Sequence, residues 1–204
     1  MLINLDTLST AQTYFTMTQT VLPRPIAWVL TLNPSGDYNL APFSYFNAIS
    51  SDPPLVAFSI GRQPTGEKKD TLVNIESRPE FVIHIASCDQ LDTLNQSSAT
   101  LAPGVSEVTE SGIELVEVEG FTMPRITDCK IAFMCKTHQI QEIGNHHQAL
   151  VLGEIDAIYI DDDCTETNEK NRLVVDAEKI QPLSRLGASQ YASFGQVLTA
   201  HRPD

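Results

Sequence analysis

The amino-acid sequence predicts a mainly β, α+β fold whose strands form an antiparallel, barrel-like sheet. Short apolar runs bounded by turn residues recur along the chain. Several of these runs are apolar on both faces, as expected for strands that are covered on both sides in a closed barrel. The regular strand–helix alternation of a parallel α/β sheet is missing. No repeat or linker interrupts the pattern, so residues 1–204 are predicted to form one domain.

The first half of the chain is predicted to begin its sheet with a hairpin over residues 26–50. Its first arm is the apolar run 26–32, and the sequence NPSGD that follows is a strong turn signal. An extended stretch over residues 39–50 forms the second arm, and the DPP sequence at 52–54 ends it. The later predicted strands span residues 55–60, 81–86, 128–140 and 148–160.

Helical signals are fewer than strand signals. Asp70 is in a position to cap a short helix that runs to about Ser77. Leu91 and Leu94 lie at helical spacing within a second predicted helix, residues 88–98. Residues 99–127 contain several glycines and a proline and are predicted to be irregular, with short strands. The acidic stretch 161–172 is predicted to lie at the surface.

Charge and hydropathy exclude several classes of partner. The chain has 13 basic and 26 acidic residues, a formal net charge of −13, and 42% apolar residues. Nucleic acid and anionic membrane surfaces require a basic face, so neither is expected as the main partner. The N-terminus is a poor signal peptide, and no run approaches the roughly 20 apolar residues of a membrane span. A small anionic ligand, which needs only a few donors, stays possible.

The cysteines and histidines do not form a metal-binding pattern. The four cysteines include no Cys-x-x-Cys pair, and no histidine pair completes a zinc motif. Cys129 and Cys135 are predicted to face the same side of a strand as reduced structural thiols, which gives a cytoplasmic location as the default. Trp28 and His84 are predicted to be core residues, although Trp28 is also a candidate for flanking a ligand.

The densest group of motifs lies in residues 23–76. It comprises PRP at 23–25, NLAPFSYFN at 39–47, SSDPP at 50–54 and KDT at 69–71. In this order and spacing the segment resembles the flavin reductase-like, FMN-binding split-barrel family. Weaker resemblance continues through Gly144, His147 and VLGE at 151–154 to SRLG at 184–187 and Tyr191.

This resemblance implies an antiparallel split β-barrel, a homodimer, and FMN held near the dimer interface. Members of the family include NAD(P)H:flavin oxidoreductases that supply reduced flavin to monooxygenases, and flavoproteins that carry electrons. The leading hypothesis is therefore hydride transfer from NADH or NADPH to flavin, with no side chain predicted to be catalytic because the cofactor supplies the chemistry. A flavin-binding electron carrier that docks on a redox partner is the main alternative. A flavin-free binding protein is a third.

The KDT motif is predicted to bind the FMN phosphate. Lys69 precedes a helix start, where a cation is mildly unfavourable because the helix dipole is already positive. Free amides, the Thr71 hydroxyl and an ammonium together suit a phosphate, and Asp70 would cap the helix or contact the ribityl chain. The alternative is a solvated lysine pair before an ordinary helix; the resemblance favours the phosphate site.

Three further segments are predicted to contact the flavin. Arg24, between two prolines, is either a guanidinium aimed at the phosphate or a surface arginine. The polar and apolar groups of residues 39–47 suit an isoalloxazine ring, although a bend or backbone contacts are needed to bring both faces of that strand to one ligand. Arg185 lies in a C-terminal segment that would cover the flavin or the partner subunit. The candidate residues from the middle segment are Asn39, Ala41, Pro42, Ser44, Phe46 and Asn47.

Overall fold

The computed structural model describes residues 1–200. Its strands are β1 (Ala27–Leu32), β2 (Tyr38–Phe43), β3 (Phe46–Ser51), β4 (Pro54–Ile60), β5 (Glu80–Ile85), β6 (Leu115–Val116), β7 (Arg125–Ile126), β8 (Ile131–Ile143), β9 (Gln148–Ile160), β10 (Thr165–Thr167), β11 (Leu173–Val175), β12 (Ser184–Arg185) and β13 (Tyr191–Ala192). Its α-helices are α1 (Thr10–Thr20), α2 (Asp70–Ser77), α3 (Leu91–Gln96), α4 (Glu107–Glu110) and α5 (Ala177–Ile180). Seven strands form the main antiparallel sheet, in the order β2-β1-β5-β8-β9-β4-β3.

The main sheet must curl, because its two edge strands are neighbours in the chain. Only Ser44 and Tyr45 separate β2 from β3, although these strands lie at opposite ends of the sheet order. Three Cα steps of about 3.8 Å cover at most about 11 Å, so the edges must approach each other. The amide of Ser59 donates to the carbonyl of Tyr45 (2.9 Å), which extends the pairing of β4 with β3 up to the bend between β2 and β3. The result is a barrel that is open between β2 and β3.

Both faces of the sheet are buried around β1 and β5, as the apolar runs predict. The first apolar core includes Phe58 and Phe81, and α2 packs on it through Leu72 and Ile75. The second core, on the opposite face, contains Trp28 and is covered by α3, α4 and the segment that follows them. Since β1 contributes side chains to both cores, almost every residue of this strand is buried.

The predicted hairpin over 26–50 is correct only in its first part. β1 pairs with β2 in the register Trp28 to Pro42. The second arm is not continuous, because the chain bends at Ser44 and Tyr45 and β3 pairs with β4 instead. The strand predicted at 128–140 begins three residues later and runs to Ile143.

The first predicted helix is present at Asp70–Ser77, but its N-cap residue is not the predicted one. Lys69 occupies the N-cap position, and no side chain caps the helix. The prediction that Asp70 caps it is therefore wrong: Oδ2 of Asp70 accepts a hydrogen bond from the amide of Gly104 (3.0 Å), in the next loop. Residues 88–98 form a 3₁₀ turn followed by α3 rather than one helix.

The cysteines are free thiols, and three of the four are buried. Cys129 and Cys135 do not share a face, because Cys129 precedes β8 and the strand changes register between Met134 and Cys135. They lie in different cores. Burial raises the pKa of Cys129 to about 12 and also raises that of Cys135. Both thiols therefore stay protonated at neutral pH.

His84 is a core residue with both ring nitrogens hydrogen-bonded. The amide of Ile126 donates to Nε2 (2.9 Å), so Nδ1 carries the proton and donates to the carbonyl of Trp28 (3.2 Å). Burial lowers the pKa of His84 to about 4, which keeps the ring neutral. Within residues 1–200, no helix combines the length and apolar character needed to span a membrane.

Candidate functional site

A cavity of about 400 Å³ opens where edge strand β2 meets the start of α2. Its lining comes from β2, from residues 62–64 after β4, from the start of α2, and from the loop after α3. The lining residues are Asn39, Ala41, Pro42, Phe43, Arg62, Gln63, Pro64, Lys69, Asp70, Thr71, Ser97, Ser98, Ala99, Thr100, Leu101 and Glu107. Six of the predicted cofactor residues are brought together here: Asn39, Ala41, Pro42, Lys69, Asp70 and Thr71.

One wall of the cavity is the outer edge of β2. The amide of Leu40 points away from β1 and donates to Oε2 of Glu107 (3.0 Å). Backbone amides alternate in direction along a strand, so the nitrogen of Pro42 also points away from β1. Because proline carries no amide hydrogen, no donor is left unpaired at this position. Ala41 and Pro42 therefore present a short, apolar surface with little polar backbone to satisfy, which suits the face of a flat ring.

The opposite wall is the start of α2. The first residues of a helix have amides without intrahelical partners, and those of Asp70 and Thr71 make no hydrogen bond to any described residue. The Nζ atom of Lys69 lies 5.8 Å from the centre of the Phe43 ring. The surrounding protein shields this ammonium from water and lowers the pKa of Lys69, although part of the side chain is exposed. These donors belong to three residues that line the cavity, and free amides beside a cation at a helix N-terminus suit an anion.

The two adjacent lysines differ in their partners. Nζ of Lys68 contacts both carboxylate oxygens of Glu76, at 2.7 and 2.6 Å. Lys69 has no carboxylate within ion-pair distance among residues 1–200. The charge of Lys69 is therefore available to a ligand, whereas that of Lys68 is already balanced.

Two charged residues in the cavity were not predicted from the sequence. Glu107 is 8% exposed, and burial raises the pKa of its carboxyl group, with further contributions from Asp70 and Asp37. Arg62 donates from Nε to the carbonyl of His147 (2.8 Å) and from Nη2 to Glu142 (3.1 Å). No local motif marks either residue, since both reach the cavity through contacts between segments far apart in sequence.

The loop after α3 closes the cavity and was also missed. Ser97 accepts a hydrogen bond from the indole nitrogen of Trp28 (2.8 Å) and donates to the carbonyl of Leu94 (2.8 Å). These bonds tie residues 97–101 to the second core. Trp28 is buried and does not line this cavity, as expected for a core residue.

Arg24 lies outside the cavity. Its guanidinium is buried and donates to the carbonyls of Thr18 (2.7 Å), Val21 (2.8 Å) and Leu186 (2.7 Å). Nε lies 3.4 Å from the hydroxyl of Ser44. The structure therefore places both Arg24 and Ser44 in a junction where the end of α1 and the segment after β12 meet the barrel.

The other predicted residues also lie away from the cavity. Phe46 packs at the rim of the first core, and Asn47 is exposed, with Oδ1 accepting from the amide of Ala48 (2.9 Å). The guanidinium of Arg185 lies over the ring of Tyr191, 4.4 Å from its centre, and donates to the carbonyls of Ala188 and Gln190. The bend at Ser44 and Tyr45 carries Phe46 and Asn47 to the other edge of the barrel.

Comparison with known proteins assigns the family. The flavin reductase like domain matches residues 17–184. The chain belongs to this family. It is 29% identical to nitrilotriacetate monooxygenase component B from Bacillus cereus (TM-score 0.88, 98% of both chains). It is 32% identical to 2-nitrobenzoate 2-nitroreductase NbaA of Pseudomonas fluorescens (TM-score 0.88, 100% of this chain and 96% of that one).

The fold comparison agrees with the predicted architecture. A split-barrel protein of Shewanella frigidimarina superimposes with a TM-score of 0.83 over 98% of this chain and 96% of its own, at 19% identity. The predicted antiparallel split barrel with short flanking helices is therefore confirmed.

Proposed function

We propose that the protein is a single-domain, FMN-binding oxidoreductase that transfers a hydride from NADH or NADPH to flavin. The observation that carries this proposal is the unpaired Lys69 ammonium beside two free helix amides, opposite the apolar wall formed by Ala41 and Pro42, within the described chain. A phosphate would bind at the ammonium and the amides, and a flat ring would pack against the apolar wall. The cavity volume also falls within the range of small-molecule sites.

The residues present fit such a cofactor. When bound, the flavin supplies a ring nitrogen that accepts a hydride from nicotinamide. The chain contributes a phosphate site at Lys69 and Thr71, an apolar support at Ala41 and Pro42, and a closing loop at residues 97–101. These groups orient the ring and limit the access of water.

The decisive experiment is to purify the protein, identify any released flavin, and follow oxidation of NADH and NADPH with added FMN. Flavin-dependent oxidation of either nucleotide supports the proposal. Because the similar proteins are a monooxygenase component and a nitroreductase, flavin and 2-nitrobenzoate are the first electron acceptors to compare. Bound FMN without nucleotide oxidation would contradict the reductase activity but not flavin binding.

A flavin-binding electron carrier is the second candidate, and the net charge of −13 favours it. An acidic surface assists docking to a basic redox protein and disfavours anionic nicotinamide nucleotides. Reduction by a basic protein donor, with a rate that falls as salt is added, would support this function. A rate that does not depend on salt would argue against electrostatic docking.

We also propose that the protein is a homodimer. Helix α1 and the residue after it expose Tyr14, Phe15 and Val21, and edge strand β3 exposes Ile49, so apolar side chains of both elements are uncovered. The rings of Tyr14 and Tyr45 link α1 to the start of β3, with centres 6.3 Å apart. Light scattering is expected to give twice the chain mass, and Phe15→Glu to give a monomer. A monomeric wild type would contradict the proposal.

Two of the predicted flavin-contact residues outside the cavity would lie in the interface of such a dimer. Phe46 and Asn47 lie on β3, where a second copy would cover them. The cytoplasmic location inferred from the cysteines stays a prediction.

A further inference from the structure

Thr71 lies at the inner end of a chain of buried hydrogen bonds that reaches the cavity. The chain runs from the turn between β1 and β2, through the base of α2, to the proposed phosphate site. All its members except Asp37 are at most 3% exposed. In order, the side chains are Asp37, Asn33, Asn74, Thr31, Asn39 and Thr71.

The carboxylate of Asp37 fixes the direction of the outer hydrogen bonds, from Asp37 to Thr31. Hydrogen bonds from Ser35 and Asn33 lower the pKa of Asp37, so its ionised carboxylate only accepts. Nδ2 of Asn33 donates to it (2.9 Å), which turns Oδ1 of Asn33 toward Asn74. Nδ2 of Asn74 then donates to Asn33 (2.8 Å) and to the hydroxyl of Thr31 (3.0 Å).

Asn39 continues the chain toward the cavity. Its Nδ2 donates to the hydroxyls of Thr31 (3.2 Å) and Thr71 (2.9 Å), which uses both of its hydrogens. A hydroxyl has a single proton, and Thr71 accepts from Asn39, so that proton is free to be donated elsewhere. Among residues 1–200 no group accepts it, and Thr71 lines the cavity. The proton is thus available to a bound ligand.

We propose that Asn39 is a positioning residue that fixes Thr71 as a hydrogen-bond donor toward an anionic group in the cavity. This inference rests on the proposed function, in which that group is the phosphate of FMN. Asn39 acts through Thr71, and its own amide hydrogens are not offered to the ligand. The substitution Asn39→Asp replaces the amide donor with a carboxylate, which would accept the Thr71 proton and turn it away from the cavity.

The test compares the dissociation constants of FMN and riboflavin, whose ratio measures recognition of the phosphate. Wild type is expected to prefer FMN. Thr71→Val should reduce this preference about tenfold, since it removes a hydrogen bond to a charged group. Asn39→Asp should reduce it by a similar factor.

A double-mutant cycle separates this mechanism from charge repulsion. Asn39→Asp also brings a negative charge near the phosphate, and repulsion alone would act equally with or without the Thr71 hydroxyl. We expect Asn39→Asp to have little further effect in the Thr71→Val background. An equal loss in both backgrounds would overturn the proposal.

Two further variants distinguish the proposed mechanism from a general loss of stability. Asn39→Leu is close in size and uncharged; it frees the Thr71 hydroxyl to rotate and should reduce the FMN preference about threefold, again only when Thr71 is present. Asn74→Ala disturbs the same buried chain without touching Thr71, so it should lower the melting temperature but keep the ratio. A loss of preference in Asn74→Ala as large as in the Asn39 variants would overturn the proposal.

The outcomes for the two proposals differ. If wild type binds riboflavin as tightly as FMN, the phosphate site itself is wrong. If wild type prefers FMN and Thr71→Val loses that preference, while both Asn39 variants keep it, only the role of Asn39 fails.

Discussion

Lys68 and Lys69 are adjacent, but their surroundings give them different functions. Glu76 balances the charge of Lys68, whereas Lys69 faces the cavity without a carboxylate partner in the described chain. We expect Lys69→Ala to weaken FMN binding by about 1.5–3 kcal/mol, the range for a hydrogen bond to a charged group, and to change riboflavin binding little. Titration of both flavins by fluorescence quenching measures the difference.

Lys68→Ala is the matched control for this prediction. It removes the same charge from the neighbouring position but breaks only an exposed ion pair, which contributes little to stability. Its FMN affinity should stay near that of wild type. Equal losses for the two lysine variants would show that general charge, not a specific contact, attracts the phosphate.

Glu107 lines the cavity, and burial of its carboxylate is expected to lower the free energy of unfolding at neutral pH. Burial raises the pKa of this carboxyl group in the folded chain above its ordinary value of 4.5. The unfolded chain therefore loses this proton at lower pH than the folded chain, and stability falls as pH rises through this interval. Glu107→Gln keeps an acceptor for the amide of Leu40 without the charge, so we expect it to be more stable than wild type at pH 7.

Urea unfolding of wild type and Glu107→Gln over a series of pH values tests this difference. The gain should shrink as pH falls from the raised pKa toward and below the ordinary value of 4.5, because both proteins then have a neutral side chain. A constant gain at every pH would attribute the effect to packing rather than to charge.

At the scale of elements, β9 packs closely against the Phe81 ring of β5 at Gly153. A Cβ atom at this position would lie 2.7 Å from Cζ of that ring, in the first core. Because the ring is buried and packed, Gly153→Ala should force a shift and cost about 1–3 kcal/mol. Thermal unfolding measures the loss.

Gly61→Ala provides the control at the end of the neighbouring strand, because an added Cβ there meets no atom within 4 Å. Its melting temperature should stay close to that of wild type. If Gly153→Ala melts at the same temperature as Gly61→Ala, the close packing of β9 against Phe81 is not a constraint on the fold.

Across the molecule as a whole, Arg24 joins helix α1 and the segment that contains β12 to the barrel. Its guanidinium binds carbonyls at the end of α1 and in the C-terminal segment, and its backbone pairs with that of Arg185. Arg24→Met would leave one buried and two partly buried carbonyls without this donor and should lower the free energy of unfolding by about 3 kcal/mol. FMN affinity should change little below the melting transition.

Arg78→Met is the control, since Arg78 is exposed at the end of α2 and makes no side-chain hydrogen bond within residues 1–200. Chemical unfolding and FMN titration of both variants complete the test. If Arg24→Met keeps wild-type stability but loses FMN, Arg24 belongs to the binding site, which is one of the two alternatives that the sequence left open.

The local features of this protein could be predicted from short stretches of its sequence. Alternating and continuous apolar runs predicted most strands, because a strand buried on both faces excludes polar residues along its length. The helix at Asp70–Ser77 and the buried state of His84 followed from short patterns. The KDT segment was recognisable as a possible anion site, since helix amides and a cation occur within three residues of each other.

Which side chains share the cavity depends on the three-dimensional arrangement of the chain. The bend at Ser44 and Tyr45 separates Ala41 and Pro42 from Phe46 and Asn47, although all four belong to one motif. Glu107 and residues 97–101 reach the cavity from distant parts of the chain, and hydrogen bonds to carbonyls withdraw Arg24 from it. Such outcomes depend on contacts between segments far apart in sequence, and local residue patterns do not specify which segments meet.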